Sequence, residues 1–154
     1  MSKTQIATGG IADDAVTAAK ATGFGKVLQV VTTSTTTTFS TSSNTFTDCT
    51  PMTVNITPSA SDSKVLVLCN ANFGGSADNR TGVRLLRGST NIFQGSDSGN
   101  IQGATTATPN AEDNSIYNVA FQHLDSPSAT IALTYKYNGQ QQTEEQYICC
   151  KVLI

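Results

Sequence analysis

The chain has 154 residues, 13% of them charged, and 9 Lys or Arg stand against 11 Asp or Glu for a formal net charge of −2. This length is enough for one domain with a hydrophobic core. No block of Lys or Arg occurs, so the sequence lacks the electrostatic footprint of nucleic-acid binding. No window approaches the roughly 20 apolar residues of a membrane span. We therefore expect neither nucleic acid nor membrane insertion among its interactions.

Residues 1–25 differ in amino-acid composition and spacing from the rest of the chain. The stretch GGIADDAVTAAKATGFG has Gly at both ends, and Asp13 or Asp14 can cap a helix start. An apolar stripe at helical spacing is formed by Ile11, Ala15, Ala18 and Ala19. A helix of about ten residues is marginal in isolation. Residues 1–25 are therefore predicted to be an attachment or trimerisation segment that needs partners, with a frayed leader as the alternative. They lack the apolar run of a signal peptide, so we expect synthesis and assembly in a cytoplasm.

The stretch from Val30 to Asp48, VVTTSTTTTFSTSSNTFTD, is almost entirely Thr and Ser. A flexible tether would be rich in Gly, Pro, Glu or Lys, whereas Thr is β-branched and packs well on a pleated sheet. The segment from Lys26 onward is therefore predicted to begin with a strand. A Ser-Ser-Asn turn at 42–44 and the start of a second strand follow it.

Alternating hydrophobicity predicts further strands. Met52, Val54 and Ile56 share one face of the next strand. KVLVLCN is apolar at every position but its ends, which favours a central strand covered on both faces. VRLLRGSTNIFQG indicates a hairpin whose turn, 87–91, holds Gly88.

The C-terminal half continues this pattern. In SIYNVAFQHL, Tyr117, Val119 and Phe121 share a face, and ATIALTYKYNG alternates, with Ile131, Leu133, Tyr135 and Tyr137 on one side. QYICCKVLI predicts a terminal strand held in the sheet. A polar connection, 95–115, is long enough to suggest a functional or covered loop. About eight strands separated by turn signals predict an all-β domain over residues 26–154, an antiparallel β-sandwich or jelly roll.

Residues suited to catalysis or metal binding are scattered. The chain has one histidine, His123, and no G-x-S-x-G sequence, so a hydrolytic triad has no candidate members. The four cysteines, Cys49, Cys69, Cys149 and Cys150, show no C-x-x-C spacing and are predicted to be buried thiols. We expect no enzymatic activity, no cofactor and no metal.

Several segments resemble the C-terminal module of bacteriophage fibre proteins. GKVLQVV, the Thr/Ser run, NTFTD and MTVNITPSASDSKVLVL are similar to that family's succession of a strand, a polar run, an F-x-D step, an I-T-P-S turn and S-K-[IV]-L-V. GVRLLRGSTNIFQGSDSG resembles its R-L-x-R-G-x-T-x-I hairpin, and FQHLDSPSATIALTYKYN resembles its L-D-S-P corner. The leader GGIADDAVTAAKA is similar to short helical modules of phage fibre stalks. The resemblance covers 26–154 and, more loosely, the leader.

The resemblance implies a homotrimer of jelly rolls similar to the tumour-necrosis-factor-like fold, placed on a virion that is assembled in the host cytoplasm. Residues 1–25 would attach it to other virion proteins. One reading is a fibre or tip that binds a host-surface glycan or outer-membrane component. Polar side chains suit such a ligand, and the predicted receptor-binding loops hold Asp78, Asn79, Arg80, Asp97, Ser98, Asn100, Gln140, Gln141 and Gln142. The alternative is a capsid decoration or head-fibre trimer that binds no receptor. A free lectin-like domain would explain the β body but not the leader.

Overall fold

The computed structural model describes residues 27–75, 79–97, 103–110, 115–141 and 147–153. These ranges form nine strands: β1 Thr32–Ser34, β2 Thr47–Ile56, β3 Val65–Gly75, β4 Asn79–Arg87, β5 Thr90–Phe93, β6 Thr106–Asn110, β7 Ser115–Asp125, β8 Leu133–Gln141 and β9 Tyr147–Leu153. They contain no helix long and apolar enough to cross a membrane. The predicted N-terminal helix lies outside the described residues.

The strands form two antiparallel sheets, which confirms the all-β prediction. The first sheet has the order β1-β9-β3-β7, and the second has the order β2-β8-β4-β5, with β6 also paired to β4. The chain changes sheet after β1, β2, β3, β6, β7 and β8. β9 lies between β1 and β3, so the predicted terminal strand is held in the sheet.

The hydrophobic core lies between the sheets and is built from alternating strand positions. Val65, Val67, Cys69, Ala71 and Phe73 of β3 are all buried, as the period of two in a strand requires. The second sheet contributes the predicted face of β2 together with inward side chains of β4 and β8: Cys49, Met52, Val54, Ile56, Val83, Leu85, Tyr135 and Tyr137. The half-buried Val119 and Phe121 of β7 pack against this cluster.

The Thr/Ser stretch is ordered, but only a small part of it is a strand. β1 covers three residues, and the predicted strand residues Val27, Leu28 and Val30 are exposed and lie outside it. Hydroxyl groups instead accept backbone bonds two residues on: Thr37 N donates to Thr35 Oγ1 at 2.9 Å, and Ser43 N donates to Thr41 Oγ1 at 3.1 Å. Such local bonds compete with a sheet ladder, so most of this segment is a hydroxyl-stabilised connection.

The predicted long loop after the β4–β5 hairpin contains a strand. β6 pairs with β4 from Thr106↔Val83 to Asn110↔Asn79. Just before β6, the Thr105 hydroxyl accepts Leu85 N at 2.9 Å and donates to the Phe93 carbonyl. This hydroxyl bridges β4 and β5 at their register shift.

Two of the predicted strand faces differ in the structure. β3 is central in its sheet, but Leu66 on its outer side is 47% exposed, so the described residues leave that face partly open. Ile131 precedes β8 and is 70% exposed, whereas Tyr135 and Tyr137 are buried as predicted. The predicted hairpin is confirmed, and Gly88 in its turn has φ +60°, a conformation that favours glycine.

Candidate binding surfaces and the junction of the sequence motifs

The predicted receptor-binding residues do not all lie in loops. Four of them fall outside the described residues: Asp78, Ser98, Asn100 and Gln142. Asn79 and Arg80 begin β4, and Gln140 and Gln141 end β8. Since β8 pairs with β4 at Thr81↔Gln141, the structure brings these four to the same end of the second sheet. Arg80 is exposed there.

The Gln140 side chain makes a hydrogen bond between two segments of the fold and is not a free surface amide. Its side chain is buried, and Nε2 donates to the Asn44 carbonyl at 2.7 Å. This bond ties the end of β8 to the connection that precedes β2. The prediction that Gln140 lies in an exposed loop is therefore wrong, because the residue belongs to β8 and its buried amide bonds to a backbone carbonyl.

Asp97 also has intramolecular partners. Its Oδ1 accepts Gly103 N at 2.5 Å and lies 3.7 Å from Arg84 Nη2. Arg84 Nε donates to the Gly103 carbonyl at 2.6 Å, and its guanidinium lies 3.7 Å above the Phe46 ring. A Cβ at position 103 would overlap the Gly95 carbonyl, so this close approach requires glycine. Asp97 therefore binds Gly103 beside Arg84.

A polar cluster around the buried side chains of Asp125 and Tyr135, which we call the motif junction, was not predicted as a site. It consists of Lys64, Arg87, Asp125, Ser126 and Tyr135. Arg87 Nη1 donates to both Asp125 oxygens at 2.8 and 2.6 Å, Tyr135 OH donates to Oδ2 at 2.6 Å, and Ser126 N donates to Oδ1 at 2.9 Å. Lys64 Nζ donates to Ser126 Oγ at 2.8 Å. The junction joins both sheets at one end of the sandwich.

The carboxylate of Asp125 is the centre of the motif junction. Burial and the hydrogen bond to this carboxylate raise the pKa of the Tyr135 hydroxyl, and the same carboxylate raises the pKa of Arg87. Both donors therefore keep their protons at neutral pH, and the arrangement is a satisfied structural network rather than an acid–base pair. The signal available in the sequence was the pair of motifs R-L-x-R-G and L-D-S-P.

The outer face of the first sheet, which we call the amide face, was also not predicted. It comprises Leu66, Leu68, Asn70 and Asn72 of β3 and Ile116, Asn118, Ala120, Gln122 and Leu124 of β7. Asn118 Nδ2 donates to Asn70 Oδ1 at 2.7 Å and to Asn72 Oδ1 at 2.9 Å. Large apolar side chains flank this cluster, and Ile116 and Leu124 are 71% and 60% exposed.

A groove of about 750 Å³ continues the amide face toward the start of the described chain. The residues that line it include Val27, Leu28, Val30, Leu66 and Leu124. Val27, Leu28 and Val30 are themselves exposed. The amide face and this groove together form an extended, largely apolar surface at the N-terminal side of the sandwich.

Residues that could ligate a metal ion are scattered in the part of the chain that the structure describes. In the described ranges no group of three or more His, Cys, Asp or Glu is placed to hold a metal ion. His123 stacks on Phe93 with ring centroids 4.7 Å apart.

The thiols of Cys49 and Cys69 are expected to resist alkylation in the folded protein. Burial raises their pKa values, to about 12 for Cys49 and about 11 for Cys69. Because the thiolate is the nucleophile, a pKa two units above the ordinary value of 9.0 lowers its fraction at pH 8 by about 100-fold. Iodoacetamide labelling followed by peptide mapping should show both peptides unmodified until denaturant is added. Rapid labelling of either thiol under native conditions would contradict the burial.

The same shifts give a pH dependence of stability. Both thiols bind their protons more tightly in the folded state than in the unfolded state. Their contribution to the free energy of unfolding is therefore fully present below pH 9. It is lost as the pH rises toward 11 and 12.

Comparisons with known proteins leave the family open. No protein-family model matches the chain, and no curated protein matches it. One chain in the structure of infectious bursal disease virus, Gx strain, is similar, with a TM-score of 0.43 and 11% identity over 81% of this chain. The chain spans 30% of that chain's length. A likeness at this level carries no functional argument.

Proposed function

We propose that this chain is a non-enzymatic structural protein of a bacteriophage virion, a homotrimeric fibre or tip that takes part in attachment to the host surface. The observation that carries the proposal is the motif junction. Lys64 lies in the S-K-V-L-V segment, Arg87 in the R-L-x-R-G hairpin, and Asp125 and Ser126 in the L-D-S-P corner. These are three of the segments that resemble phage fibre modules, and their polar side chains bond directly to one another.

The order of the strands supports the jelly-roll part of the proposal. Sheets with the orders β1-β9-β3-β7 and β2-β8-β4-β5, joined by repeated crossings between them, have the two-sheet arrangement of a jelly roll. The junction explains why the motif residues would be kept together in such a fold. A buried carboxylate must be matched by charged and hydrogen-bonding donors, and these come from separate strands.

The residues found at the two ends of the sandwich favour a fibre or tip over a capsid decoration. Val27–Val30 line one groove together with Ile56, Lys64 and Leu124, at the end where β2 and β7 finish and β3 begins. Arg80 and Gln141 lie at the opposite end, where β4 begins and β8 finishes. An N-terminal segment bound to other virion proteins would therefore hold the domain at one end. The candidate receptor-binding residues would then point away from the particle.

The proposal is tested on the phage that encodes the chain. Antibodies against the purified protein should label the tail tip in electron micrographs, and the protein should reduce phage adsorption to host cells. Arg80→Ala should weaken this competition, whereas Lys64→Ala, at the opposite end, should leave it unchanged. Label on the head without any effect on adsorption would support the decoration alternative. Absence of label from the virion would overturn both.

A further inference from the structure

We infer that the groove beside the amide face is the docking site for Phe24 of the same chain, which fastens the N-terminal segment to the sandwich. Phe24 lies outside the described residues, three positions before Val27, and Val27 is itself part of the groove. The inference goes beyond the proposed function, because it assigns an occupant to a surface of the single chain and does not depend on a virion or a trimer.

The lining of the groove favours an apolar occupant. Val, Leu and Ile side chains dominate it, and among the described residues that line it only Lys64 is charged. The Lys64 ammonium already donates to Ser126 Oγ at 2.8 Å, so the groove offers little to a charged ligand. Val27 and Leu124 are 83% and 60% exposed, and an apolar side chain placed between them would remove apolar surface from water.

The path of the chain selects the segment that docks. The described chain begins in the groove, at Val27, so residues 1–26 reach it directly. Three residues span at most about 11 Å, which keeps Phe24 close to the groove wherever the rest of the segment lies. Ile6, Ile11 and Val16 stand further back along the chain. Because the entropic cost of closing a loop rises with its length, Phe24 is the favoured occupant.

The residue type and the size of the groove agree with this choice. Phe24 is the only aromatic residue in positions 1–26, and an aromatic side chain buries about 150–250 Å². Gly23 and Gly25 flank it, and without Cβ atoms they allow the backbone beside the ring to approach the lining closely. A groove of about 750 Å³ lies within the roughly 300–1,000 Å³ that accommodates a drug-sized molecule, so it has room for the ring and both glycines.

The experiment uses the absence of tryptophan from the sequence. In the full chain, Phe24→Trp introduces a single tryptophan, and Ile131→Trp places one at a position that is 70% exposed and does not line the groove. The Phe24→Trp protein should emit at a shorter wavelength than the Ile131→Trp protein, and acrylamide should quench it several times less, because a docked indole is shielded from water. Equal emission and equal quenching in the two proteins would overturn the inference.

A second substitution in the Phe24→Trp protein tests where the indole docks. Leu124→Ser removes an apolar side chain that lines the groove, and Ile116→Ser removes a similarly exposed one that does not. Leu124→Ser should move the emission toward that of Ile131→Trp, and Ile116→Ser should leave it unchanged, with the same circular dichroism for both. Emission that is indifferent to Leu124→Ser would place the ring elsewhere and overturn the assignment of the groove.

Refolding the Phe24→Trp, Leu124→Ser double variant with an excess of wild-type protein tests whether the groove belongs to the same chain. Docking within one chain leaves the emission of the double variant unchanged, since its indole still meets the altered groove. A return to the shorter wavelength would show that the ring enters the groove of a second copy, and it would overturn the inference. Neither result bears on attachment to a host, so the proposed function would still stand.

Discussion

Asp125→Asn is expected to lower the free energy of unfolding by about 2–4 kcal/mol, because it breaks a buried, charge-assisted network. The carboxylate accepts two bonds from Arg87, one from Tyr135 and one from the Ser126 backbone. An asparagine of the same shape turns one acceptor oxygen into a donor that faces other donors. Arg87 is then left partly buried without a counter-charge. Chemical denaturation at one fixed protein concentration measures the change.

Asp48→Asn is the matched control for this prediction. Asp48 also pairs with a cation, Lys136, but its side chain is 48% exposed, against 9% for Asp125. An exposed ion pair contributes about 0–1 kcal/mol, so the control should unfold close to the wild type. Equal effects from the two substitutions would show that the motif junction does not hold the sheets together. The main structural support for the proposed family would then be lost.

Leu85→Ala is expected to destabilise the protein by about 3 kcal/mol, through lost burial and the cavity that remains. Leu85 is fully buried between the sheets. The β4 backbone around it is also held on both sides, by Tyr137 of β8 and by the Thr105 hydroxyl, so the site has little freedom to collapse onto the cavity.

Ile131→Ala provides the comparison for Leu85→Ala. It removes a similar apolar volume from a side chain that is 70% exposed and lies outside the amide face, so its effect should stay within about 0.5 kcal/mol of the wild type. If both variants unfolded alike, the assignment of Leu85 to the core between the two sheets would be wrong.

The features relevant to the proposed fibre lie on different parts of the sandwich. The motif junction and the segment Val27–Val30 lie at one end, and Arg80 lies at the other. The amide face runs along the side between them. A fibre protein requires separate places for attachment, self-association and contact with the host. In this domain, variants at Arg80 should affect competition with the phage, and variants at Asp125 should affect stability, independently of each other.

The sequence by itself determined the strand class and much of the inward face. Alternation at Met52, Val54 and Ile56 and at Tyr135 and Tyr137 predicted their burial, because a strand places every second side chain on one face. The hairpin at Gly88 followed from local turn chemistry. These properties depend on neighbours in the chain, and local patterns report them well.

Only the tertiary structure decided what depends on distant partners. Leu66 and Val67 are equally apolar in the sequence, but one faces water and the other the core, because within the described ranges a second sheet packs on one side only. The sequence predicts a loop amide at Gln140, and only the structure shows that its side chain donates to the Asn44 carbonyl. Asp125 and Arg87 are 38 residues apart, and their pairing arises from the packing of the two sheets. Hydrogen bonds and burial between remote segments depend on topology, which no local window of this sequence contains.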